Sequence, residues 1–125
     1  MTGNSDVIRI APVGASLKYY MVGASFRIKG LGVANESGNA ANFSYYGLPS
    51  NTSVDFGGNA AFTGAIYAPQ ADYSLGGGGN DTIDFIGASV SKTVTMNGKF
   101  QFHYDENLAR VAGHRGFIPT NWVEK

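Results

Sequence analysis

Polar and apolar residues alternate strictly in four short phrases: Ser16-Leu17-Lys18-Tyr19, Ser53-Val54-Asp55-Phe56, Asp72-Tyr73-Ser74-Leu75 and Thr93-Val94-Thr95-Met96. Such period-two alternation predicts strands with one buried face. Three of the phrases are introduced by a proline, at Pro12, Pro49 and Pro69; the fourth has lost it. A second apolar phrase precedes the later three, and its phenylalanines Phe43, Phe62 and Phe85 lie 19 and 23 residues apart. Self-similarity at a period near 20 is what a stacked β-solenoid writes into its sequence, one coil per repeat. The predicted fold is therefore all-β: a short right-handed parallel β-helix of about four coils.

Stacking the phrases predicts one inward column of Leu17, Val54, Tyr73 and Val94, and a second of Tyr19, Phe56, Leu75 and Met96. A local echo, Gly14-Ala15-Ser16-Leu17 and Gly23-Ala24-Ser25-Phe26, recurs after nine residues. That is too short for a coil and fits two successive faces of one coil joined by a glycine corner. Phe26 and Ile28 then point inward, with Arg27 and Lys29 in water. Residues 30–41 lose the alternation and read as a loop. Asn97-Gly98 stands between two alternating runs, a strong hairpin signal that competes with a further parallel coil. Asp105 can N-cap a turn or two of helix ended by Gly113. The stretch to Trp122 reads as a cap over the last coil. One domain is expected over 1–125, with coils over about 7–98 and the cap over 99–125. The N-terminal end at Ile8-Arg9-Ile10 reads as the less protected of the two.

Composition narrows the function classes. Of 125 residues only 14% are charged, against roughly 25% in ordinary soluble domains, and nine basic side chains balance nine acidic ones. No electrostatic footprint for nucleic acid or an anionic membrane exists. The chain has no cysteine, which excludes disulfides, a thiol nucleophile and cysteine-based metal sites. It has no apolar run of about 18 residues either, so no direct membrane insertion is expected.

Candidate chemistry is thin. Gly76-Gly77-Gly78-Gly79-Asn80-Asp81-Thr82-Ile83-Asp84 fits the calcium nonapeptide of parallel β-rolls, with Asp81 and Asp84 as carboxylate ligands. Such sites share ligands between consecutive repeats, and one copy cannot supply six to eight oxygens, so no cofactor is expected. His103, Asp105 and Glu106 place an imidazole beside two carboxylates, with His114 near in sequence. A cap hydrogen-bond cluster explains them equally well. Asp55 and Asp72 read as outward acids one coil apart, about 5 Å, the spacing of a retaining glycosidase pair. Solubilising charges on a strand face are the commoner meaning. Thr93 and Thr95 lack threonine counterparts in the other coils, so no ice-binding array is expected. The seven tyrosines cannot all be core, and exposed aromatic stripes bind sugars or protein partners.

The phrases Tyr45-Tyr46-Gly47-Leu48-Pro49-Ser50, Asn59-Ala60-Ala61-Phe62-Thr63-Gly64-Ala65-Ile66-Tyr67 and Met96-Asn97-Gly98-Lys99-Phe100-Gln101-Phe102-His103-Tyr104 resemble a bacterial domain family. Its members lie near the C-terminus of larger exported proteins, some with a type IV pilin-like or PilX-like anchor. The resemblance implies a β-helix at the extracellular cell surface or in a pilus-like appendage, and it carries over no enzymatic activity and no catalytic residues. The expectation is a non-enzymatic structural domain acting in adhesion or self-assembly, its solenoid ends stacking on a second copy or another surface protein. The alternative is a carbohydrate-binding or carbohydrate-cleaving module with a glycan as partner.

Overall fold

A computed structural model describes residues 5–12, 14–58, 62–77, 82–106 and 108. Its strands are β1 (Val7–Ile10), β2 (Leu17–Met21), β3 (Ser25–Ile28), β4 (Gly32–Asn35), β5 (Phe43–Gly47), β6 (Ser53–Gly58), β7 (Phe62–Gly77), β8 (Ile83–Gly98) and β9 (Phe100–Tyr104). Every pairing among them is parallel. The long β7 and β8 each bend through all three faces, so the chain winds as a β-solenoid of four coils, and β9 adds one further strand.

Three faces follow from the register. The first carries β1, β4, the starts of β7 and β8, and β9. The second stacks β2, β5 and the middle of β7 and β8. The third stacks β3, β6 and the ends of β7 and β8. Ser25 lies beside Ser53, Ser53 beside Asp72, Phe62 beside Phe85 and Ile83 beside Phe100, so a coil takes 17 to 28 residues. In a parallel ladder each inward side chain meets the inward side chain one coil away, about 4.8 Å distant. The core is thus a set of columns, such as Phe26–Val54–Tyr73–Val94 and Ile28–Phe56–Leu75–Met96.

Those columns correct the phase read from the repeats. The first proline phrase belongs to the second face, where Leu17 pairs Phe43 and Tyr19 pairs Tyr45; Phe26 and Ile28 are the true partners of Val54 and Phe56. The nine-residue echo marks two successive faces of the first coil, as its short spacing implied. Phe43 does not share a rung with Phe62 either. Ser44 pairs Ala65, which sets Phe43 beside Gly64, two residues further on. Slipping by two preserves the inward parity, so all three phenylalanines remain buried.

The loop expected at 30–41 contains β4 and a single 3-10 turn at Ala40–Asn42, capped by Asn39, whose side chain accepts from the Ala41 amide. Its small residues hide the alternation, yet Val33 is buried and pairs Ile8. Asn97-Gly98 forms no hairpin. It prolongs the third face beside Gly76 and Gly77, and β9 returns parallel to the start of β8. Gly98 has φ +120°, and a Cβ there would stand 2.2 Å from the Gly77 carbonyl oxygen, so glycine serves as a corner between coils. Past β9, Leu108 donates its amide to the Asp105 carbonyl at 3.1 Å. Of the expected cap over 99–125, Phe100–Tyr104 is strand β9; the rest of the expected helix, and the cap beyond Leu108, lie outside the described residues.

Aromatic rings fill the interior. Phe62 and Phe85 stack at 4.5 Å, Phe85 and Phe102 at 4.8 Å, and Phe43 meets Phe62 edge-on at 5.7 Å. Phe43 reaches across because Gly64 leaves its place empty: a Cβ on Gly64 would lie 2.5 Å from Phe43 Cδ1 and 3.1 Å from Phe62 Cζ. Gly64→Ala is therefore expected to destabilise the fold by about 1–3 kcal/mol, the usual cost of overpacking. Urea denaturation of Gly64→Ala, alone and with Phe43→Leu, checks this. The double variant should regain part of the loss, and equal losses in both would show that the two sites do not collide.

Candidate functional site

The described residues bring together few of the predicted site groups. Of the calcium nonapeptide, Gly78, Gly79, Asn80 and Asp81 lie outside them. Asp84 is described: it is exposed, and its Oδ1 stands 3.3 Å from His103 Nε2 on β9. Among the described residues no group of three potential metal ligands converges. His103 thus faces Asp84 one coil away, and His114 lies outside the described residues.

The acid pair does not form as expected. Asp55 pairs Ser74, and Asp72 pairs Ser53, so the two carboxylates are offset by two residues as well as by one coil. Their backbones are then about 8 Å apart, not one 4.8 Å strand spacing. Each acid is also engaged. Asp55 Oδ2 holds Arg27 Nε at 3.0 Å and Lys29 Nζ at 3.9 Å, while Asp72 Oδ1 accepts from Thr93 Oγ1 at 2.7 Å. On this third face the ladders Ser53–Asp72–Thr93 and Asp55–Ser74–Thr95 run as a flat polar surface.

A polar group that the repeats did not reveal lies inside. Asn51, fully buried at the corner between the second and third faces, accepts from Tyr45 Oη at 2.9 Å and donates through Nδ2 to the Gly23 carbonyl at 3.0 Å. It ties the second coil to the corner of the first. Gly47 makes the room, since a Cβ there would stand 2.5 Å from Asn51 Oδ1. A polar residue just after the Pro49-Ser50 turn is an ordinary sight, so nothing in the sequence marked it as core. Tyr73 is buried too, and its hydroxyl has no hydrogen-bond partner among the described residues.

Two surfaces remain as candidates for contact. The first is the end of the solenoid at its fourth coil. Val94 and Met96 lie in inward columns, and Phe102 stacks on Phe85, yet they are 50%, 43% and 40% exposed. At the other end, Ile10, Phe26 and Ile28 of the first coil are buried at 4%, 8% and 0%. On the third face the fourth coil is thus more open than the first, and among the described residues β9 covers the first face alone. Residues 88–98 of β8 pair on one side with β7 and, among the described residues, with no strand on the other. The second surface is the outside of the second face, where Tyr20, Tyr46 and Tyr67 stand in register. A narrow apolar crevice between the third and first faces, lined by Val33, Phe56, Phe62, Leu75, Ile83 and Phe100, has Asp84 as its one titratable wall group among the described residues.

A family model described as a domain of unknown function, DUF7305, matches residues 2–111. The chain belongs to this family. None of the curated proteins and none of the solved structures matches the chain. A DUF7305 domain is therefore a four-coil β-solenoid in which the described residues bring no acid pair together.

Two outcomes are expected. Asp55→Asn and Asp72→Asn should each shift stability by less than about 1 kcal/mol, as exposed ion pairs and hydrogen bonds do; a larger loss in chemical denaturation would give these acids a greater role. Alkali should act on the core. Burial raises the Tyr45 and Tyr73 phenols, for Tyr45 with a further push from Tyr19 and partly offset by its bond to Asn51. A raised folded-state pKa means that stability is whole below the unfolded value near 10 and falls as pH climbs above it. Phenolate absorbance should show these two tyrosines ionising only as the fold is lost. Ionisation of all seven without loss of structure would contradict their burial.

Proposed function

We propose that this DUF7305 domain is a non-enzymatic structural unit of a bacterial surface or appendage protein that associates end to end, its fourth coil receiving the first coil of a second copy. The observation that carries the reading is the exposure of Val94, Met96 and Phe102 at positions whose parity directs them inward. Such side chains are completed by another coil. The open edges supply the rest of the chemistry. β1, β2 and β3 each pair with one neighbour among the described residues, as does the second half of β8. Joining the two ends would continue the same parallel ladder, a head-to-tail contact that propagates instead of closing.

The cross-section of a coil is small, so backbone pairing has to supply most of the affinity. Edge strands that must stay single usually carry charge or a bulge. The stretch from Phe85 to Gly98 carries one charge, Lys92. The resemblance to C-terminal domains of exported proteins supports a place at the cell surface, where such a subunit would act in adhesion or assembly.

Light scattering and negative-stain microscopy across protein concentration test the proposal. The wild-type chain should form elongated oligomers, and Val94→Lys/Met96→Lys should leave monomers. Thr95→Lys, at the outward position between them, should assemble as the wild type does. A wild-type monomer at every concentration, or unaltered assembly of the double variant, would overturn end-to-end association.

A further inference from the structure

On the outside of the second face, the row Tyr20–Tyr46–Tyr67–Val90 runs in register along the solenoid axis. Tyr20, Tyr67 and Val90 are 58%, 51% and 51% exposed. The Tyr20 and Tyr46 rings are parallel within 13° with centroids 5.0 Å apart; Tyr46 and Tyr67 are tilted by 55° at 6.4 Å. The 5.0 Å centroid distance matches the roughly 4.8 Å strand spacing, so the Tyr20 and Tyr46 rings stack along the solenoid axis, with Tyr67 tilted beyond them.

The neighbouring outward row is Lys18–Ser44–Ala65–Ala88. Past Lys18 it is a ledge of small side chains flanked by the standing rings. Val22 and Leu48, 68% and 37% exposed, lie at the corner beyond the tyrosines. Lys18 is the one charged residue in these two rows.

We propose that this exposed tyrosine row and its ledge bind a neutral glycan chain lying along the solenoid axis. Chemistry and size select that occupant. A polyanion, whether nucleic acid or acidic polysaccharide, would find a single cation. A protein partner on this face would have to be held by side-chain area alone, because the backbone N–H and C=O groups lie in the plane of the sheet and not out from it. Four coils at about 4.8 Å by five residues at about 3.3 Å give about 300 Å², well below the roughly 800 Å² per partner of a stable interface. A linear sugar polymer needs no such area: aromatic faces stack against its C–H surfaces, phenol hydroxyls meet its hydroxyls, and contacts repeat coil by coil. This inference uses a lateral face and stands apart from the end-to-end association.

Native affinity electrophoresis through gels containing hydroxyethyl cellulose, mannan or dextran tests it. The wild-type chain should be retarded by at least one of these polymers relative to a plain gel. Tyr20→Ala and Tyr67→Ala should each weaken retardation by about 2- to 10-fold, the range of one aromatic contact. The Tyr20→Ala/Tyr46→Ala/Tyr67→Ala variant should abolish it. Tyr20→Phe/Tyr67→Phe should retain part, since the rings survive without their hydroxyls. Tyr20→Ala, on the outermost coil, decides the matter if the triple variant does not fold. No retardation by any of the three polymers would overturn the proposal. So would retardation that survives loss of the rings, or a triple variant whose only change is in self-association, which would make the face a docking site for a second copy.

Discussion

In-register parallel pairing is the constraint on which the rest of this structure depends. It gives every inward side chain one neighbour in the coil above and one in the coil below, at a separation set by the backbone. Volume must therefore be balanced down each column and not merely across the core as a whole. The Phe43–Gly64 contact shows the rule at work. A full ring in one coil is accommodated by a glycine in the next, and the ring crosses toward the Phe62–Phe85–Phe102 stack on the adjoining face.

The same constraint limits where polar groups can go. Faces bury their own backbone bonds in the ladder, but corners break it, and the carbonyls there need partners. Asn51 meets that need inside the molecule, linking Tyr45 in its own coil to the Gly23 carbonyl of the coil before. Removing such a group strands two buried partners at once, a cost of about 1–3 kcal/mol for each. On the outside the ladder sets residues of successive coils in rows, among them the tyrosine row of the second face and the mixed hydroxyl and acid rows of the third. Surface chemistry in a solenoid is thus organised as stripes parallel to the axis, and a stripe suits an extended ligand better than a compact one.

A solenoid also has ends, and the two differ. In the first coil the inward residues of the third face are Phe26 and Ile28, both buried; in the fourth they are Val94 and Met96, both open. On the second face the inward positions of the fourth coil have become Ser89 and Ser91. The last rung is therefore partly polar and partly apolar, intermediate between a core layer and a surface.

The alternation of polar and apolar residues was enough to establish strands, their inward parity and a coil length near 20 residues. Parity is local: it follows from the two-residue period of an extended chain, and it placed Phe26 and Ile28 inside and Arg27 and Lys29 outside without reference to any other part of the molecule. The phase of one coil against the next was not local. Prolines and serines recur at turns on more than one face, so the first proline phrase matched the third face in sequence and the second face in space. β4 was hidden for a related reason, since its glycine, alanine and asparagine carry almost no hydrophobic contrast and its burial comes from β1 and the neighbouring coil. Asn97-Gly98 suits a hairpin and a corner equally in its backbone preferences; the choice fell to the parallel partner that the start of β8 offers to β9. Only the tertiary structure could separate Asp55 from Asp72, expose Val94 and Met96, or bury Asn51, because each outcome depends on which coil lies above, which lies below and which is missing.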